Sequence, residues 1–374
     1  MIIMIFYSLL TLFIAAVSAA FVLLWSRKLA QNYFSSLYGV RDPHGIEELE
    51  AVDIGGLPQW VHIRGRDKNN PILLFIHGGP GWSNIGWHDA FQRPWEDYFT
   101  VVQWDQRQTG KSYQSLKKVG HTIHRDQYIA DAKELICYLR DRFGHQKIYL
   151  MGTSYGTVLG MHLVKQHPEW FYAYIALGQV KTMLEHARDE YKLLLEFAIK
   201  TDDKKLKSQL QAMEPYPDPD NLVTSFYTYS HLLMDIESRH GKAYPDSMRA
   251  LFSMAAIGKW FSPHYTLKDN FNRRFGEVPG SNHAIAKQLL EFDLPQEVGS
   301  EFDAPIFFFS GVHDFHISHR TTDAWFAAIK APYKEQIFFQ RSAHVPYQTE
   351  PGEFLMALVN KVLPLSSDDR RSIN

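Results

Sequence analysis

The sequence predicts an α/β fold with a mostly parallel sheet, a helical insertion above it and an apolar helix in front of it. Short runs of strand length, Pro71–Ile76, Thr100–Trp104, Pro305–Ser310 and Glu335–Gln340, each lead into a turn rich in glycine or polar residues. Between Gln179 and Asp303 that signal fades, and Leu184, Ala187, Tyr191, Leu194 and Ala198 recur at helical spacing. Met1 to Trp25 carry no charged side chain, and about 20 apolar residues suffice to cross a bilayer.

At 374 residues, 45% of them hydrophobic, the chain can bury one large core and still carry an insertion. The expected division is an apolar segment over 1–26, the first part of the core over 45–180, the insertion over 181–303, the second part of the core over 304–364 and a polar tail over 365–374. A formal net charge of −2 gives no basic stripe, so nucleic acid is not an expected partner. The single cysteine excludes an intramolecular disulfide. Cys137 lies in an amphipathic run with Tyr128, Ala132, Leu135 and Leu139, which assigns it to packing and not to nucleophilic chemistry.

The first 26 residues read as a single-pass membrane anchor. A cleaved signal with Val17-Ser18-Ala19 as its processing site is the alternative, but the basic leading region of such a signal is missing. Arg27, Lys28 and Arg41 follow the span and no Lys or Arg precedes it, which by the positive-inside tendency assigns the rest of the chain to the cytoplasm.

Taken in order, Pro71–Ile76 delivers the chain into His77-Gly78-Gly79-Pro80-Gly81, where backbone can approach a ligand with no side chain in the way. Thr100–Trp104 leads into Asp105-Gln106-Arg107-Gln108-Thr109-Gly110-Lys111-Ser112. Its last three residues imitate a phosphate loop, but Asp105 stands where that loop needs glycine, so nucleotide binding is set aside. Asp105 and Arg107 are expected to tie down the turn.

The apolar run ending at Met151 enters Gly152-Thr153-Ser154-Tyr155-Gly156, a G-x-S-x-G pattern. A serine on so sharp a strand-to-helix turn needs neighbours without bulk two positions to either side. Ser154 is therefore the expected nucleophile. A tetrahedral oxyanion would be met by two backbone N–H groups, those of Gly79 and Tyr155. Asp314, at the carboxyl end of the third run, is the expected orienting acid, and His344, in the turn after Glu335–Gln340, the general base. His313, His316 and His319 crowd around Asp314, but their spacing fits no metal motif, and neither metal nor cofactor is expected.

Assembled, these segments resemble the proline iminopeptidase branch of the α/β-hydrolase superfamily. The resemblance rests on His77-Gly-Gly-Pro-Gly81, Asp105-Gln-Arg107, Gly152-Thr-Ser-Tyr-Gly156 and the Asp314 and His344 turns, over roughly residues 50 to 362, with His167-Pro-Glu-Trp170 and Ala173–Gln179 alongside. The order Ser, Asp, His is that of the α/β-hydrolases. The resemblance implies an α/β-hydrolase fold with a helical cap and a serine hydrolase that forms an acyl-enzyme without a cofactor, acting on a small-molecule or short-peptide substrate. Two departures stand out. The glycine usual after Asp-Gln-Arg is replaced by Gln108 and Thr109, and the cap motif of Trp and Glu that captures a free amine has no clear equivalent. Glu185 and Glu190, early in the cap, are the candidates to meet an ammonium, although charges on a helix usually form a solvated face.

The cap also holds a proline-rich break, Glu214–Asp220, and the aromatics Phe226, Tyr227, Tyr229, Trp260 and Phe261, which either line the pocket or pack cap on core. Three functions remain open: an aminopeptidase or amidase, an esterase or lipase on small or lipid-derived esters, and a non-catalytic binding protein that keeps the fold. Oligomeric state is not legible. Epoxide hydrolases and dehalogenases of similar architecture resemble this pattern with aspartate at the elbow, where this chain has Ser154.

Overall fold

The structure, a computed structural model, describes residues 2–114, 119–226, 248–270 and 283–366. Tyr227 and Tyr229 of the cap and 367–374 of the tail lie outside the described residues. The first element, α1 (Ile2–Tyr38), is followed by a hairpin of β1 (Ile46–Ile54) and β2 (Leu57–Gly65), then β3 (Ile72–Ile76) and β4 (Thr100–Asp105). Next come α2 (Arg125–Phe143), β5 (Ile148–Thr153), α3 (Tyr155–Gln166) and β6 (Phe171–Leu177). The cap contains α4 (Met183–Lys200), α5 (Lys204–Gln211) and α6 (Met248–Phe261), and the core resumes with β7 (Ile306–Gly311) and β8 (Lys334–Phe339).

The eight strands form one sheet in the order β1-β2-β4-β3-β5-β6-β7-β8. Among the described residues only the β1–β2 and β2–β4 pairs are antiparallel. The central strands are apolar throughout because helices cover both faces, as parallel sheets require. Ile72, Leu74 and Ile76 face one cluster with Leu135, Leu139, Leu159 and Leu163 from α2 and α3. Leu73 and Phe75 face the other, with Phe354, Leu358 and Val362 from the C-terminal helical stretch.

The cap helix α4 starts at Thr182, whose hydroxyl accepts from the Glu185 N–H at 3.0 Å, an N-cap that satisfies a donor with no partner inside the helix. Ala187, Tyr191, Leu194 and Ala198 are buried, as the helical spacing predicts. Tyr191, Leu194 and Ala198 pack on Leu206 and Leu210 of α5.

The apolar helix does not stop at the end of its uncharged stretch but runs on to Tyr38. Its upper part is exposed, whereas its lower part docks on the cap. Arg27 donates to the carbonyls of Trp260 and Tyr265 at 2.9 and 2.7 Å, and Gln31 donates to the Ser262 carbonyl at 2.7 Å. One helix of this chain is therefore long and apolar enough to span a membrane and is fastened at its base to the segment after α6.

Candidate active site

The strand order reverses around β3, between β4 and β5, and ligands of open α/β sheets bind outside the carboxyl ends of strands at such a switch point. The glycine-rich turn leaves β3 there, and the serine turn leaves β5 beside it.

Ser154 has φ +52 and ψ −125, a conformation that side-chain-bearing residues rarely adopt and that costs on the order of 1–3 kcal/mol. Its N–H donates to the Leu177 carbonyl at 3.0 Å, and its carbonyl accepts from Thr157 N–H and hydroxyl at 2.8 and 2.6 Å, so the strained turn is held at both ends. The flanking glycines have a steric reason. A Cβ on Gly152 would fall 2.6 Å from the Gly156 carbonyl oxygen, and one on Gly156 would run into the backbone of Ile76. Gly78 lies directly against the serine, where a Cβ would come within 2.8 Å of Ser154 Cβ.

Gly79 follows with φ +113, and Tyr155 is the first residue of α3, where an N–H has no partner within the helix. His77 anchors this loop. Its Nδ1 contacts the Gly78 carbonyl at 2.9 Å, and Gln106 donates to the His77 carbonyl at 2.9 Å. Burial drives the His77 pKa down to about 3, so the ring is neutral.

Asp314 and His344 meet across the ends of β7 and β8. His344 Nδ1 donates to Asp314 Oδ2 at 2.8 Å, and Asp314 Oδ1 accepts the Ile317 N–H at 2.8 Å. Burial works to raise the Asp314 pKa, but the His344 imidazole and the Ile317 N–H outweigh it and hold the carboxyl below its ordinary range. The His344 turn can seat there because position 311 is glycine, since a Cβ would collide with the Ala343 carbonyl. Gly178 completes the junction: a Cβ on it would lie 3.4 Å from His344 Cε1 and 3.6 Å from Asp314 Oδ2, one residue beyond the carbonyl that holds Ser154.

The β4 turn is bound on two sides. Arg107 makes a two-pronged pair with Asp131, both bonds 2.8 Å, and also donates to the Gly55 carbonyl. Asp105 accepts from Ser83, from the Lys111 N–H at 2.8 Å and from the Tyr265 hydroxyl at 2.8 Å. Gln108, where the resemblance leads one to expect glycine, takes the left-handed conformation at φ +66. The turn therefore needs that backbone shape even without the residue that adopts it at least cost. Lys111 pairs with Asp269 at 3.0 Å, a structural use of the residue that imitates a phosphate-loop lysine.

The two cap carboxylates part company. Glu185 is 40% exposed and paired with Lys181 at 2.7 Å. Glu190 is 6% exposed, and its Oε1 lies 3.7 Å from Nδ1 of His316, whose ring stands edge-on to His344 with centroids 5.7 Å apart. Of the histidines around Asp314, His316 thus faces the cap, while His319 pairs with Asp323 at 3.0 Å. His186, whose pKa burial lowers to about 3, contacts Thr321 at 3.1 Å.

Comparison with known proteins agrees with this architecture. Residues 71–215 match the family model of the alpha/beta hydrolase fold. A probable aminopeptidase of Bacillus subtilis, YbaC, is 28% identical over 319 residues, covering 85% of this chain and 97% of that protein. A proline iminopeptidase of Saccharolobus solfataricus is 23% identical over 61% of this chain and 67% of its own length. Among solved structures, a proline iminopeptidase of Mycobacterium smegmatis superposes with a TM-score of 0.61 at 15% identity, covering 86% of this chain and all of that one, a likeness of fold. The chain is a hydrolase with the α/β-hydrolase fold, and it is similar to aminopeptidases of the proline iminopeptidase kind.

Proposed function

We propose that this chain is a membrane-anchored serine hydrolase that releases N-terminal residues from short peptides through an acyl-enzyme on Ser154. The buried His344–Asp314 bond at 2.8 Å, together with a serine held at φ +52, is the observation that carries the reading. His344 Nε2 takes the Ser154 hydroxyl proton as Oγ attacks the carbonyl carbon. Asp314 holds the ring in the tautomer that leaves Nε2 free, and stabilises the imidazolium that forms. The N–H groups of Gly79 and Tyr155 receive the oxyanion. The amine then departs with the proton from His344, and water, deprotonated by the same nitrogen, releases the acid.

The buried Glu190 supports an amine-bearing substrate. A carboxylate removed from water is costly unless a cation meets it, and a substrate ammonium at the cap end of the site would do so. A second reading, an esterase acting on lipid-derived esters, draws on the docking of the apolar helix onto the Tyr265 segment, which reaches the β4 turn through Asp105. Turnover of a prolyl amide against short and long acyl esters by the full chain in detergent tests the choice. Hydrolysis of the esters alone rejects the aminopeptidase reading.

A further inference from the structure

The face of β2 opposite the main core carries a buried polar nest that the reaction does not use. His62, His88 and His264 come from β2, from the short helical turn His88–Ala90 and from the segment after α6, and they stack together. Their ring centroids are 4.7 Å apart for His62 and His88, 4.2 Å for His62 and His264, and 5.2 Å for His88 and His264. One nitrogen from each lies within 4.8 Å of the other two, and His62 Nδ1 is only 2.5 Å from His88 Nε2. Asp89 sits behind two of the rings. Its Oδ1 is 3.3 Å from His88 Nδ1, and its Oδ2 is 3.0 Å from His264 Nε2.

We infer that His62 Nδ1, His88 Nε2 and His264 Nδ1 form a site for a divalent transition-metal ion of the zinc type, its fourth position taken by water, with Asp89 orienting two of the three imidazoles from behind. The chemistry of the donors fits. Neutral imidazole is the common ligand of such ions, and a ligating histidine usually donates its other N–H to a carboxylate, which fixes tautomer and ring direction. One carboxylate performs that role here for two rings at once. His88 Nδ1 and Asp89 Oδ1 face each other at 3.3 Å. An ion on Nε2 would place the His88 proton on Nδ1 and aim it at that carboxylate.

Charge points the same way. Arg64 pairs with Glu47 at 2.5 Å and Glu96 at 2.9 Å, and lies 3.9 Å from Asp89, so one guanidinium faces three carboxylates around this nest. A dication offsets that excess. Seating it requires the His62 and His88 nitrogens to move apart from 2.5 Å to about 3.3 Å, the separation set by two metal–nitrogen bonds of about 2.0–2.1 Å at a tetrahedral angle. His264, the least buried of the three, lies on the side from which an ion enters. The bound ion would clamp the segment that receives α1 onto β2, tying anchor, cap and core together.

The full chain in detergent, free of any histidine tag and stripped with a chelator, tests this by titration with Zn(II) and Co(II). The expected result is one equivalent of Zn(II) per chain, a raised Tm, and the strong visible absorption of tetrahedral Co(II), all lost in His264→Ala. Asp89→Asn should weaken binding by about 10- to 100-fold while preserving the Co(II) spectrum. If His264→Ala does not fold, displacement of Co(II) by Zn(II) in the unmodified chain, followed by its spectrum, decides the question. No spectrum and no shift in Tm for the unmodified chain, or an unchanged spectrum in His264→Ala, overturns the site and leaves a cluster that binds protons only.

Discussion

The Tyr265 hydroxyl donates to Asp105 Oδ2 at 2.8 Å, joining the segment that receives the N-terminal helix to the turn that leaves β4. Burial pushes the Asp105 pKa from 3.8 up to about 6, against the opposing pull of Ser83, the Lys111 N–H and Tyr265. The folded value lies above the unfolded one, so this contribution to stability is full below about pH 4 and is lost as pH rises through about 6. Chemical denaturation of the full chain across that window should show the slope, and Asp105→Asn should flatten it. Tyr265→Phe should cost about 1–3 kcal/mol, because it strips one donor from a buried carboxylate.

Asp314 has the opposite sign. Its carboxyl is held below the ordinary range by His344 and the Ile317 N–H against the effect of burial, so its contribution is present above that range and disappears as pH falls through the folded value. Asp314→Asn should lower kcat by on the order of 10⁴, the scale found when a triad acid is replaced by its amide, while KM changes little. Steady-state kinetics on variant protein with an unchanged circular dichroism spectrum checks this.

Gly78→Ala tests the packing of the serine turn. The added methyl group would lie 2.8 Å from Ser154 Cβ and 2.9 Å from the Thr153 carbonyl oxygen, so Ser154 must shift. A displacement of about 1 Å costs about 10² in rate, and kcat should fall by at least that much. Gly352→Ala, where a Cβ meets nothing within 4 Å, should leave kcat unchanged.

Glu190→Gln separates the cap carboxylates. On the amine-binding reading it should raise KM for peptides with a free N-terminus by about 10-fold or more, as expected when one charged partner of a buried pair is neutralised. It should leave N-acetylated analogues and simple esters unaffected. Glu185→Gln, on the solvated side of the same helix, should change neither. Equal losses on acetylated and free substrates would show that Glu190 only supports the cap.

Much of this was legible in the sequence because the relevant residues cluster locally. The strands β3, β4, β7 and β8 fall within a residue of the runs read from the sequence, β3 and β7 most plainly because both faces of each are buried. Ser154, Asp314 and His344 are legible as candidates because each stands in a turn after a strand, in the order Ser, Asp, His. The β1–β2 hairpin is not legible in the sequence, because its residues alternate between faces and its edge strand is polar. Glu185 and Glu190 could not be ranked, since sequence spacing does not say which side of α4 meets His316. His62, His88 and His264 left no trace at all: they are scattered over some 200 positions without motif spacing, and only the sheet and the cap bring them together.

The most direct test is labelling of the full chain with a fluorophosphonate probe, followed by mass spectrometry of the modified peptide. The account predicts stoichiometric modification of Ser154 and its loss in Ser154→Ala. Undiminished active-site labelling of that variant, or a folded and substrate-hydrolysing wild type that the probe leaves unmodified, would contradict it.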